Sequence, residues 1–195
     1  MSPSNVSNEM TNLFIESFRA VRGHAHAVVN EAGAVDTVAR IVRDAASNCV
    51  ALAALPDSLA AAIKTRLESE GVEVMGPAYE SATLPLALDR PTIGITGAAF
   101  GIAQTGTLAE VCTDDAVRLV SGLPRTHIGI VWAGDLVDTL HDAAPRLREL
   151  LMQQDRNVTV SFLSGPSRTG DIELVLTLGV HGPEIAHAII IGDGA

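Results

Sequence analysis

Three glycine-rich segments carry the residues best suited to chemistry. The first, 94–107, reads Gly-Ile-Thr-Gly-Ala-Ala-Phe-Gly-Ile-Ala-Gln-Thr-Gly-Thr. Its glycines let backbone amides come close to a ligand, and Thr105 and Thr107 place two hydroxyls either side of Gly106. The second, 164–171, reads Ser-Gly-Pro-Ser-Arg-Thr-Gly-Asp. There Gly165 frees the main chain, Ser167 and Thr169 can donate hydrogen bonds, and Arg168 can grip a carboxylate or phosphate through two N–H groups. If Thr169 caps a helix starting near Asp171, that helix end adds a partial positive charge. The third, Gly-Val-His-Gly-Pro at 179–183, holds His181 on a turn. Its ordinary pKa of about 6.5 suits proton transfer or hydrogen bonding to a ligand. Each segment also has a plainer reading: a tight turn between strands, a capped turn in which Arg168 pairs with Asp171 or Glu173, and a histidine capping the segment before it.

Other residue types narrow the chemistry. No G-x-G-x-x-G, Gly-Lys-Ser/Thr, G-x-S-x-G, H-E-x-x-H or C-x-x-C occurs, so dinucleotide, P-loop, serine-hydrolase and zinc signatures are absent and no metal site is expected. Lys64 is the sole lysine, which weakens any lysine-dependent mechanism. Cys49 and Cys112 are too few for a disulfide framework or a four-thiolate cluster, and Cys112 reads as an inert thiol on a buried strand. His127 reads as a strand-edge residue and Glu110 as the polar face of an edge strand. His24 and His26 fall near the end of the first helix, where i,i+2 spacing keeps them apart. His141 and His187 look like surface or core positions.

Composition sets the frame. The chain has 195 residues, with 13 Lys plus Arg against 23 Asp plus Glu, hence a net charge of −10. That balance argues against nucleic-acid and anionic-membrane partners. Aromatics are 3% within a hydrophobic fraction of 47%, so the core must be aliphatic. No secretory signal pattern is evident, and the most apolar run, Cys49–Pro56, is less than half the ~20 residues of a membrane span. A cytoplasmic setting is expected.

The elements that must position these loops follow from periodicity. Leu13, Phe14, Phe18 and Val21 predict an amphipathic helix over about 9–31, and Val35 to Ala46 predict a second over 36–47 with Asp36 in its first turn. Cys49–Leu55 reads as a buried strand, and Asp57 or Ser58 as the cap of a helix bearing Leu59, Ile63 and Leu67. Further strands are expected at 72–75, 92–96, 106–112, 128–132, 158–162 and 185–191. Leu136 to Leu151 suggest a helix kinked or restarted at Pro145. Helices alternating with apolar strands predict one three-layer α/β/α domain over 1–195, with a mostly parallel sheet and a motif-bearing core over about 92–193.

The blocks 102–108 (Ile-Ala-Gln-Thr-Gly-Thr-Leu), 118–124 (Arg-Leu-Val-Ser-Gly-Leu-Pro), 165–173 (Gly-Pro-Ser-Arg-Thr-Gly-Asp-Ile-Glu) and 179–183 resemble, in order and spacing, the lactate-utilisation C proteins of the LUD-domain family. The likeness runs from about Thr92 to the C-terminus. It departs at Gln104, where an acidic residue is common, and at Ala109-Glu110.

The resemblance implies a fold like that of glucosamine-phosphate isomerase, ribose-phosphate isomerase and the CoA-transferases. It also implies a part in oxidising L-lactate to pyruvate beside iron–sulfur partner proteins, with the clusters in those partners and no cofactor in this chain. Arg168, Ser167 and Thr169 would then hold a small carboxylate or phosphate. Gly165, Thr105, Gly106 and Thr107 would supply donors, Arg125 would add positive charge, and His181 would orient or protonate the ligand; in an isomerase, His181 or Asp171 would serve as general base. A homo-oligomer is compatible with this reading. A free-standing isomerase or CoA-transferase-like enzyme, with Glu110 as the candidate nucleophile, and a non-catalytic assembly subunit are the alternatives.

Overall fold

The computed structural model describes residues 3–79, 84–153, 158–169, 177–178 and 181–192. In chain order the elements are α1 (Pro3–Ala20), β1 (His24–Val28), α2 (Glu31–Asp44), β2 (Cys49–Ala53), α3 (Asp57–Ser69), β3 (Glu73–Met75), α4 (Leu84–Ala87), β4 (Ile93–Gly97), β5 (Phe100–Ile102) and β6 (Thr107–Cys112). There follow α5 (Asp115–Gly122), β7 (Thr126–Trp132), β8 (Leu136–Val137), α6 (Leu140–Met152), β9 (Thr159–Leu163), β10 (Arg168–Thr169), β11 (Thr177–Leu178) and β12 (Ile185–Ile191).

Six strands form a parallel sheet in the order β1-β12-β7-β4-β2-β3. Strands β2 and β4 are buried along their whole length, because a parallel sheet is covered on both faces. One face carries the large aliphatics Val50, Leu52, Ile93, Ile95, Ile128 and Ile130, packed on α2 and α3. The other face is built from small residues. A Cβ at Gly94 would lie 1.8 Å from the Val120 carbonyl oxygen of α5, and one at Gly129 would lie 2.3 Å from Leu108 of β6. These glycines therefore let a helix and a second sheet approach the first closely. The second sheet runs β8-β5-β6-β9, antiparallel except for the β5–β8 pair, and its outer face packs on α6 through Phe100, Ile102, Ala109 and Ala143. The result is the expected three-layer α/β architecture about a parallel sheet.

Several local expectations are corrected. The first helix ends at Ala20, not near 31, because Arg22 takes a left-handed φ of 69° and a Cβ at Gly23 would collide with the Phe18 ring. His24–Val28 then pair with β12 as a strand. The second helix starts at Glu31, five residues earlier than predicted, since the Asn30 side chain accepts a hydrogen bond from the Gly33 amide at 3.0 Å. Helix α3 is preceded by Pro56, and neither Asp57 nor Ser58 caps it. Leu136 and Val137 are taken by the edge of β5 as a strand, so α6 begins only at Leu140, where Thr139 and Asp142 close a capping box. Pro145 lies within α6.

Candidate functional site

The first and second glycine segments meet at the C-terminal end of α1, and the third meets the second. Gly106 has φ +56°, and a Cβ there would lie 2.3 Å from the Phe18 nitrogen. The Ser17 hydroxyl donates to the Gln104 carbonyl at 3.1 Å. Gly165 has φ +76°, with Val21 against it. The Ser167 amide donates to the Pro183 carbonyl at 2.8 Å, and Gly182 packs on the Ser167 side chain. Both left-handed glycines thus serve close backbone approach as well as turning.

Hydroxyls line this junction. Thr105 and Thr107 are hydrogen-bonded at 2.6 Å, and Thr107 and Ser164 at 2.7 Å. Thr105 faces solvent, Thr107 is buried and Ser164 is half-buried, so the hydroxyls form one chain that begins at the surface. Arg168 and His181 are exposed. Arg125 sits at the base of the third segment: its carbonyl accepts from the Glu184 and Ile185 amides, and its Nε donates to Glu184 at 2.6 Å. That hydrogen-bonded pairing raises the Arg125 pKa and lowers that of Glu184. Only the Nε edge of this exposed guanidinium is paired with Glu184.

The second segment is placed by short antiparallel pairing. Arg168 and Thr169 form β10, antiparallel to β11, and the helix start expected near Asp171 lies outside the described residues. The segment follows β9, an edge strand of the second sheet that pairs antiparallel with β6. Asp171 lies outside the described residues.

The residues that the sequence reading undervalued are buried between the two sheets. Glu110 is 1% exposed and His127 3% exposed, neither of them at a strand edge. Strand β6 lies between β5 and β9, and β7 between β12 and β4. Thr96 of β4 hydrogen-bonds both: its hydroxyl donates to Glu110 Oε1 and lies 2.7 Å from His127 Nε2. His127 Nε2 is 3.5 Å from Glu110 Oε1, and Glu110 Oε2 has no protein partner. With Thr96 donating to Glu110, His127 must present Nε2–H to the threonine oxygen. The trio is thus a single hydrogen-bonded chain running from the second sheet to the first.

A sequence signal for this cluster existed. Glu110 stands inside an apolar strand, His127 opens another, and Gly129, which lies against the His127 ring, is two residues along the same face. A charged group inside a fully buried run requires a polar partner across the layer. Cys112, further along β6, is pushed up to about 11, first by burial and then by the Glu110 charge, which keeps it a thiol.

Among the described residues, no group of three or more His, Cys, Asp or Glu is arranged to hold a metal ion. No described helix is long and apolar enough to cross a membrane.

The fold and the loop junction define a class before they define a family. The crystal structure of a DUF162 family protein from Deinococcus radiodurans matches 95% of this chain and 98% of its own, with a TM-score of 0.67 and 20% identity, a likeness of fold. The LUD domain model matches residues 11–191, and the chain belongs to the LUD-domain family. Lactate utilization protein C of Exiguobacterium sp. is 31% identical over 186 residues, covering 92% of this chain and 78% of that protein. The protein of the same name from Shouchella clausii is 37% identical over 101 residues, 52% of this chain and 44% of that one. The chain spans about half the length of several of the curated relatives it matches.

Proposed function

We propose that this chain takes part in lactate utilisation, supporting the oxidation of L-lactate to pyruvate together with iron–sulfur partner proteins, and that it binds a small carboxylate at the junction of the glycine segments. The observation that carries this reading is the 31% identity to a lactate utilization protein C across 92% of the chain. Oxidising a 2-hydroxy acid to a 2-oxo acid releases two electrons and two protons. Two cysteines, both buried and on different strands, cannot supply a four-thiolate cluster site, so the electrons pass to partners.

In this reading the exposed Arg168 guanidinium receives the carboxylate. The Thr105–Thr107–Ser164 hydroxyls hydrogen-bond the ligand oxygens, and His181 orients or protonates it. An enzyme of CoA-transferase type acting through Glu110 is disfavoured, since a nucleophile must reach its substrate and this carboxylate is enclosed between two sheets.

The pathway test is growth. Deleting the gene from its host should abolish or slow growth on L-lactate, with rescue by the intact gene. Unimpaired growth of a strain without a duplicate gene would refute the assignment. The ligand test is calorimetry with L-lactate and pyruvate on the wild type and Arg168→Ala. An exposed ion pair contributes about 0.2–1 kcal/mol, so the substitution should weaken binding by up to about fivefold. Unchanged affinity places the carboxylate elsewhere.

A further inference from the structure

Away from the loop junction, three histidines gather on the edge strand of the parallel sheet. His24 and His26 stand two residues apart on β1, on the side opposite Ala25, and His187 is the partner of His24 on β12. His26 Nε2 and His187 Nδ1 are 3.1 Å apart, within hydrogen-bond reach. The rings of His24 and His26 stack on that of His187, with centroids 4.9 and 5.4 Å away. A hydrogen bond between two imidazoles needs one nitrogen to accept, so at least one ring of the pair is neutral in this arrangement.

The charged surroundings are cationic. Arg40 of α2 acts on both His26 and His187, and its partner Asp44 is an exposed residue 3.8 Å from it. Arg19 of α1 donates to the Ala25 carbonyl at 3.1 Å and acts on His26. His127 of β7 acts on His187. The other paired charges of α2, Asp36 and Arg43, are tied to Arg66 and Glu70. Among the described residues, no carboxylate lies within ion-pair distance of His24, His26 or His187, and the one histidine so paired is His127. β1 has a single sheet neighbour, β12, so as an edge strand it is held on one side only.

We propose that the hydrogen-bonded His26–His187 pair is an acid-sensitive latch, in which neutral imidazoles hold edge strand β1 on β12 and their protonation releases it. Burial, then the neighbouring His24 and His26, lowers the His187 pKa to about 3, and burial, then Arg40, lowers that of His26. A group whose folded pKa is depressed stabilises the closed state above its unfolded value. That stabilisation is lost as the pH falls below about 6.5. For His187 alone, opening at about pH 5 should be favoured by up to about 30-fold over neutral pH, since the released ring takes up a proton that the closed one refuses.

Hydrogen exchange on the full chain tests this, at about pH 7.5 and about pH 5, corrected for the pH dependence of intrinsic exchange. Amides of 24–28 should lose protection in acid by up to that factor relative to those of the central strand 49–53. Equal changes in both strands would overturn the latch. In the double variant His26→Gln/His187→Asn the extra loss at β1 should disappear, and its persistence would also overturn it. Should that variant not fold, the wild-type imidazoles can be titrated by NMR. A His187 ring still neutral near pH 5 supports the latch, and one titrating near 6.5 with β1 still protected refutes it.

Discussion

Glu110 is the side chain whose surroundings are least forgiving. It has one oxygen bound by Thr96, the other unpartnered, and almost no access to water. Glu110→Ala removes the acceptor that Thr96 donates to and leaves a cavity between the sheets. Unfolding in urea should show a loss of about 2–4 kcal/mol. Glu110→Gln keeps the shape and an acceptor oxygen, so its loss should be less than half as large. Equal losses for the two would mean that the hydrogen bond to Thr96 contributes nothing beyond volume. Arg125 makes the opposite case: its pairing with Glu184 is exposed to solvent and worth little to stability, although the backbone bonds beside it fix the third segment.

At the scale of elements, the approach of α5 to the parallel sheet depends on a missing side chain. Gly94→Ala would drive a Cβ into the Val120 carbonyl, a backbone atom that cannot swing aside, and should cost about 3 kcal/mol or prevent folding. Gly122, at the end of α5, has nothing within 4 Å of where a Cβ would stand. Gly122→Ala should leave stability unchanged or raise it by up to about 1 kcal/mol. Thermal melts of the two variants separate close packing from helix propensity. Should both behave alike, the tight contact at Gly94 is not what holds α5.

For the whole molecule, α1 ties the loop junction to the core. Phe14 and Phe18 are buried, stack at 5.8 Å, and carry the backbone against which Gly106 rests. Phe18→Ala should cost about 3–5 kcal/mol. Because its own main chain is the wall of the first segment, it should also broaden or shift the NMR signals of Thr105 and Thr107. Those signals left unmoved at full destabilisation would separate the core from the junction.

The order of the strands along the chain was largely legible, because burial on both faces writes near-continuous apolar runs at Cys49–Ala53, Ile93–Gly97 and Ile185–Ile191. The runs that broke this pattern were the ones misread. His24–Val28 carries polar residues on one face of an edge strand, and Leu136–Val137 is too short to be told from the helix that follows.

By themselves, then, the residues of this chain determined the layer architecture, the glycine segments and the family, since each is written in local pattern and spacing. Only the tertiary structure decided three things. It showed that two glycine segments meet at the end of α1 with the third against the second, that Thr169 belongs to a strand, and that Thr96, Glu110 and His127 face one another across two sheets. The reason is physical. Periodicity tells which face of an element is buried, but not which other element covers it. Thr96, Glu110 and His127 come from three different strands, and their contacts exist only once β6 is laid across β4 and β7.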